Sequence, residues 1–164
     1  MRKYLIFSLA IMLMLFSLTA CGSSSTQDTV SAELGIDVSS GEELSASDTH
    51  AGFHGDGVSS VALSFSDSNV LDEIKENKEW KPFPLDETVQ ALVYGVKDET
   101  SSIGPFINDG NGNPLVREIQ NGYYILIDRQ EDQETDILDR PSFNVTVGLY
   151  DTDTNTLYCC TLDT

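Results

Sequence analysis

Cations, histidine, cysteine and tryptophan are all scarce in this chain. Its 164 residues hold nine Lys plus Arg against 27 Asp plus Glu, with two His, three Cys and one Trp. So acidic a polypeptide is repelled by nucleic acid and by anionic headgroups, which excludes both as partners of the polypeptide itself. The only imidazoles, His50 and His54, stand four residues apart, and there is no Gly-x-Ser-x-Gly elbow and no phosphate-cradling Gly-rich loop. A nucleophile with an oriented base therefore has little to be built from, and neither an enzyme nor a cofactor is expected. Cys-x-x-Cys spacing is missing too, which removes the redox and zinc motifs that depend on it. Beyond Leu18 no apolar run approaches the ~20 residues of a bilayer span.

What is present begins at the front. Arg2 and Lys3 precede an almost unbroken apolar run from Tyr4 to Leu18, and Thr19-Ala20 supplies small residues just before Cys21. A positive start, a short apolar stretch and a small-residue cleavage site make a secretory signal peptide. Leu18-Thr19-Ala20-Cys21 resembles the lipobox of bacterial lipoproteins. That resemblance implies that Cys21 receives diacylglycerol on its thiol, that cleavage falls before it, and that a fatty acid such as palmitate is added to its freed amine. Two acyl chains anchor stably where one is marginal, at ~0.8 kcal/mol per buried methylene. An extracytoplasmic protein fixed to the cell membrane by lipid is the expectation. Removing residues 1–20 takes away Arg2 and Lys3 and no acid, so the mature chain would carry seven cations against 27 acids, a net charge of −20.

Residues 22–49 contain eight serines and six acids, with no Lys, Arg or aromatic residue. Such a composition buries too little apolar surface to offset the entropy of ordering, which predicts a disordered tether over 21–49 reaching roughly 30 Å. Leu34, Ile36 and Val38 alternate, and a brief strand fits them. Residues 50–164 suit one small domain.

Within that domain, Val61, Leu63 and Phe65 alternate as a strand does, and Val70, Leu71 and Ile74 share one face of a helix that ends before Lys81-Pro82-Phe83-Pro84. Val89, Leu92 and Val93 follow Asp86 at helical spacing with Gly95 beyond, although a strand fits there as well. Residues 97–122 are dense in turn chemistry and read as a long loop. Tyr123–Asp128 is apolar on both faces, as a central strand would be. Phe143 to Tyr150 and Leu157 to Leu162 alternate on either side of Asp151–Asn155 and form a hairpin. The expected fold is α+β, an antiparallel sheet of about four strands with one or two helices on one face. Cys159 and Cys160 then point to opposite faces, one inward and one outward, too far apart in direction to join.

Two clusters of donors suggest cations. His50, His54 and Asp56 lie in a Gly-rich stretch able to wrap a metal, although one short loop must then supply every ligand, and a turn is the simpler reading. Asp151-x-Asp153-x-Asn155 copies the first three ligand positions of a calcium loop, but Thr156 and Leu162 occupy the places of its glycine and bidentate glutamate. Asp109-x-Asn111-x-Asn113 departs in the same way.

His54-Gly55-Asp56-Gly57, Trp80-Lys81-x-Phe83-Pro84-Leu85, Asn121-Gly122-Tyr123-Tyr124 and the ending Tyr150-Asp151-x-Asp153-x-Asn155-Thr156-Leu157-Tyr158 together resemble a group of small uncharacterised lipoproteins of Gram-positive bacteria. The resemblance implies an address and one compact domain, with no activity attached. The expected function is a lipid-anchored, non-enzymatic binding module with a protein or cell-wall partner. The alternatives are a metal- or calcium-binding surface protein and a cell-wall hydrolase using paired carboxylates.

Overall fold

The computed structural model describes residues 25–50, 55–97 and 99–164, so Cys21 and His54 lie outside the described residues. Ser25 opens helix α1 (Thr26–Leu34) through a reciprocal cap: its hydroxyl accepts from the Asp28 N–H at 3.1 Å and the Asp28 carboxylate accepts from the Ser25 N–H at 3.0 Å. After α1 come strands β1 (Glu42–Asp48) and β2 (Gly57–Ser64), helix α2 (Asn69–Glu76), β3 (Lys81–Pro82) and helix α3 (Glu87–Val93). A small hairpin of β4 (Val96–Lys97) and β5 (Ser102–Ile103) leads through a long loop to β6 (Gly122–Asp128), and β7 (Asn144–Asp151) and β8 (Thr156–Asp163) complete the chain.

Six strands form the main sheet in the order β1-β2-β8-β7-β6-β3, every neighbour antiparallel. The α+β class and the antiparallel sheet agree with the sequence reading. The four strands read from the sequence are the central ones, β2, β6, β7 and β8. The additional β1 and β3 are the two edges.

Both faces of the sheet are covered, where one was expected. Val145, Val147 and Leu149 of β7 join Tyr124, Cys160 and Leu162 under α3 and the loop that follows it. On the opposite face Tyr150, Leu157 and Cys159 pack with Val30 and Leu34 of α1 and Val70 and Ile74 of α2. A strand buried on both sides must be apolar on both, as β6 to β8 largely are. Gly148 lets the second core close, since a Cβ there would lie 2.8 Å from Ile125, 2.9 Å from Leu34 and 2.9 Å from Trp80.

The stretch read as a tether is part of this fold from residue 25 onward. Val30 and Leu34 are 2% exposed, Ile36 5% and Val38 0%. Four apolar side chains suffice here because the chain doubles back on itself: Val38 N–H donates to Ser31 Oγ at 3.1 Å and Gln27 Nε2 to the Gly41 carbonyl at 3.0 Å. Ile36 and Val38 form no strand. The strand lies later, in β1, whose seven residues are all exposed and so carry no apolar period. The alternative left open at residues 86–93 resolves as helix, with Asp86 Oδ1 accepting from Val89 N–H at 2.9 Å.

Candidate functional site

Among the described residues an open groove of about 1070 Å³ wraps around the β3 edge of the sheet. Its course follows from the backbone of residues 81–85. β3 pairs Lys81 with Tyr124 and Pro82 with Tyr123, the nitrogen of Pro82 lies on the open side of this edge strand, and the Phe83–Pro84 peptide that follows is cis. Phe83 is fixed by its N–H to the Gly122 carbonyl at 3.0 Å and by an edge-on contact with the Tyr124 ring at 6.1 Å. Tyr124 in turn donates to Asp86 Oδ2 at 3.1 Å, which ties the strand to the start of α3. Burial, with the Asp86 carboxylate beside it, raises the Tyr124 hydroxyl above its ordinary pKa.

The far wall is the long loop, and α3 holds it. The Leu92 carbonyl accepts from both Phe106 and Ile107 N–H at 2.9 Å. Gly104, at φ 70°, passes so close to α3 that a Cβ would stand 2.1 Å from the Ala91 carbonyl oxygen, which only glycine permits. Tyr94 donates to the Arg117 carbonyl at 2.7 Å, and burial pushes its hydroxyl up to about 12, so it remains a donor at any physiological pH. The groove surface combines the rings of Phe83, Tyr94 and Tyr123 with the amides of Gln90, Gln120 and Asn121. Glu118 and Lys75 are the one acid and the one base among its described lining residues.

His50 lies at the other end of the sheet. Its Nδ1 is 2.6 Å from Asp48 Oδ1 and its Nε2 3.1 Å from Asp163 Oδ2, so both ring nitrogens are engaged. The His50 backbone N–H, then its ring, hold the Asp48 carboxyl below the usual range. Asp163 Oδ1 also takes Arg129 at 3.1 Å, and the same guanidinium reaches Glu33 of α1 at 3.0 Å, Asn144 at 2.7 Å and the Thr146 hydroxyl. Five separate stretches of chain are fastened here by one arginine and one histidine. Asp56 is exposed on the rim of a shallow depression that Arg129 and Asp163 also line. Of the proposed metal set His50, His54 and Asp56, the structure thus places two residues, and it uses the first to join carboxylates.

Asp151, Asp153 and Asn155 form the β7–β8 turn. Asp151 accepts from Asp153 N–H at 2.9 Å and from the Thr154 hydroxyl at 2.8 Å, Asp153 accepts from Asn121 Nδ2 at 2.9 Å, and Asn155 supplies the left-handed position at φ 50°. Asp151 thus braces the turn, and Asp153 ties it to Asn121 beside β6. Asp109 does the same in the long loop, where the Asn113 side chain and the N–H groups of Asn111 and Asn113 hold its carboxyl at about 2. Among the described residues no group of three or more His, Cys, Asp or Glu is arranged to hold a metal ion.

Cys159 and Cys160 do face opposite sides of the sheet, and both are buried, because both sides are covered. Burial pushes the Cys160 thiol up to about 11 and raises Cys159 further. Neither is a ready nucleophile, since the thiolate is the reactive form. Among the described residues no helix is long and apolar enough to cross a membrane. No protein-family model, curated protein or solved structure matches this chain.

Proposed function

We propose that this protein is a lipid-anchored, extracytoplasmic binding module, non-enzymatic, whose groove around the β3 edge holds an uncharged, hydroxyl-rich ligand of the glycan class. The observation that supports the ligand class is the lining of that groove, which gathers three aromatic rings and three primary amides and limits charge among its described residues to Lys75 and Glu118. Each amide already donates one N–H within the protein, Gln90 to the Gly95 carbonyl, Gln120 to Glu118 and Asn121 to Asp153, which leaves its second N–H and its carbonyl for a sugar hydroxyl, and aromatic faces suit the C–H faces of a pyranose ring. An extended peptide is a poorer fit, because strand addition needs an open row of N–H and C=O groups and Pro82 interrupts that row at the edge. A phosphorylated or carboxylate-rich ligand meets a chain of net charge −18. The paired-carboxylate hydrolase lacks its pair in this groove, where Glu118 is the one acid among the described lining residues.

The address rests on Leu18-Thr19-Ala20-Cys21. Palmitate labelling and membrane retention should both be lost in Cys21→Ala, and a soluble, unlabelled wild-type protein would overturn the anchor. For the groove, NMR titration with uncharged chitin and glucan oligosaccharides should shift the amides of residues 120–123. Tyr123→Ala should weaken binding by about tenfold, equal to about 1.4 kcal/mol. Shifts confined to residues away from the groove would overturn the assignment.

A further inference from the structure

We propose that the folded domain is held flush against the bilayer with one end of its sheet facing the outer leaflet; this rests on the reading that Cys21 carries the acyl chains. Ser25, the cap of α1, is four positions beyond Cys21. Four Cα-to-Cα steps of ~3.8 Å span at most ~15 Å, whatever path the chain takes between them.

The helix cannot lengthen that leash by unwinding at low cost. Its first turn is locked by the Ser25–Asp28 cap, and Gln27 holds Gly41. Val30 and Leu34 are buried in the core, and Glu33 is tied to Arg129 and to the Thr146 hydroxyl at 2.9 Å.

The direction of α1 then selects which end faces the lipid. The helix starts beside Gly41 and finishes at Glu33, next to Thr146 and Arg129. Glu42 pairs with Ser64, Ser64 with Thr156, Thr156 with Asp151 and Asp151 with Gly122, which places these residues together at one end of the sheet. This near end bears the β7–β8 turn and the Asn121–Gly122 corner of the groove. The far end bears Asp48, His50, Arg129 and Asp163. Eight-residue strands such as β7 and β8 separate the two ends by roughly 27 Å.

Asp28, Glu42, Asp151 and Asp153 at the near end give the leaflet nothing to attract, so the acyl chains supply the binding energy and the short connection supplies the orientation. The Asn121–Gly122 corner is consequently the part of the groove nearest the bilayer surface.

The test uses the full-length acylated protein in vesicles of phosphatidylglycerol and phosphatidylethanolamine that carry an acceptor-labelled lipid. A donor dye is placed at the near end through Ser40→Cys or at the far end through Glu131→Cys, both exposed sites. Cys159 and Cys160 are buried and take no label. Energy transfer should be clearly greater from position 40 than from position 131, and a Gly-Ser insert of about 28 residues after Ser23, reaching roughly 30 Å, should abolish the difference. Equal transfer from the two positions at native spacing overturns the orientation. Mass spectrometry of the same sample reads Cys21: an acylated protein with equal transfer loses only the orientation, whereas an unacylated one loses the anchor and the orientation with it.

Discussion

The two faces of the sheet are closed by different means. One is covered by α1 and α2, regular helices whose buried residues recur at Val30 and Leu34 and at Val70 and Ile74. The other is covered by the seven residues of α3 and by a loop that contributes Ile107, Val116 and Ile119 without regular structure of its own. A helix brings its own backbone hydrogen bonds, while a loop must find partners one at a time, as Phe106 and Ile107 do on the Leu92 carbonyl. The groove lies mainly against the loop side and reaches around the sheet edge to Leu71 and Lys75 of the helix side.

The contrast can be broken most strongly at Leu34. Leu34→Ala opens a cavity between a helix and Gly148 that neither can fill, and chemical denaturation should show a loss of about 2–5 kcal/mol. Ile119→Ala on the loop side removes similar apolar bulk but leaves a neighbour able to settle inward, so its cost should fall near the lower limit, about 2 kcal/mol. Equal losses would show the loop to be as rigid as the helices. Next comes Arg129→Gln, which unties α1 from the far end of the sheet. The guanidinium side chain is 29% exposed, so solvent screens part of the effect, and roughly 1–2 kcal/mol is expected, with hydrogen exchange rising first in α1.

The smallest effect is the pH response of the long loop. Asp109 is held at about 2, below its ordinary 3.8. Its contribution is fully present above pH 3.8 and is lost as pH falls through about 2. The Asn111 and Asn113 amide resonances should move over that interval while those of α1 stay in place.

How much of this was legible in the sequence depends on exposure. Strands β7 and β8 were readable because Val145, Val147 and Leu149 alternate with their neighbours, and α2 because Val70 and Ile74 lie one helical turn apart. Helix α1 was not, because it buries two apolar side chains in nine residues and sits in a Ser-rich, acidic stretch. Reading that stretch by composition missed Ser25 and Asp28, three residues apart, which form a cap that sequence spacing alone can suggest. β1 is exposed along its whole length, so no period marks it. The groove was harder still. Phe83 lies in a Pro-flanked turn and Tyr123 opens an apolar strand, while Gln90, Gln120 and Asn121 reach the groove from other segments, and no local pattern joins them. The cluster around Arg129 draws on five segments and is equally silent in one dimension.

The outermost strand bears on how copies of the chain meet one another. Among the described residues β1 has a strand neighbour on one side only, its residues Glu42–Asp48 are exposed, and such margins invite neighbouring copies to zip together. Here a bulge between Glu43 and Ser45 bends the margin, and the carboxylates of Glu42, Glu43 and Asp48 repel any identical strand brought alongside. That margin therefore disfavours edge-to-edge pairing between copies.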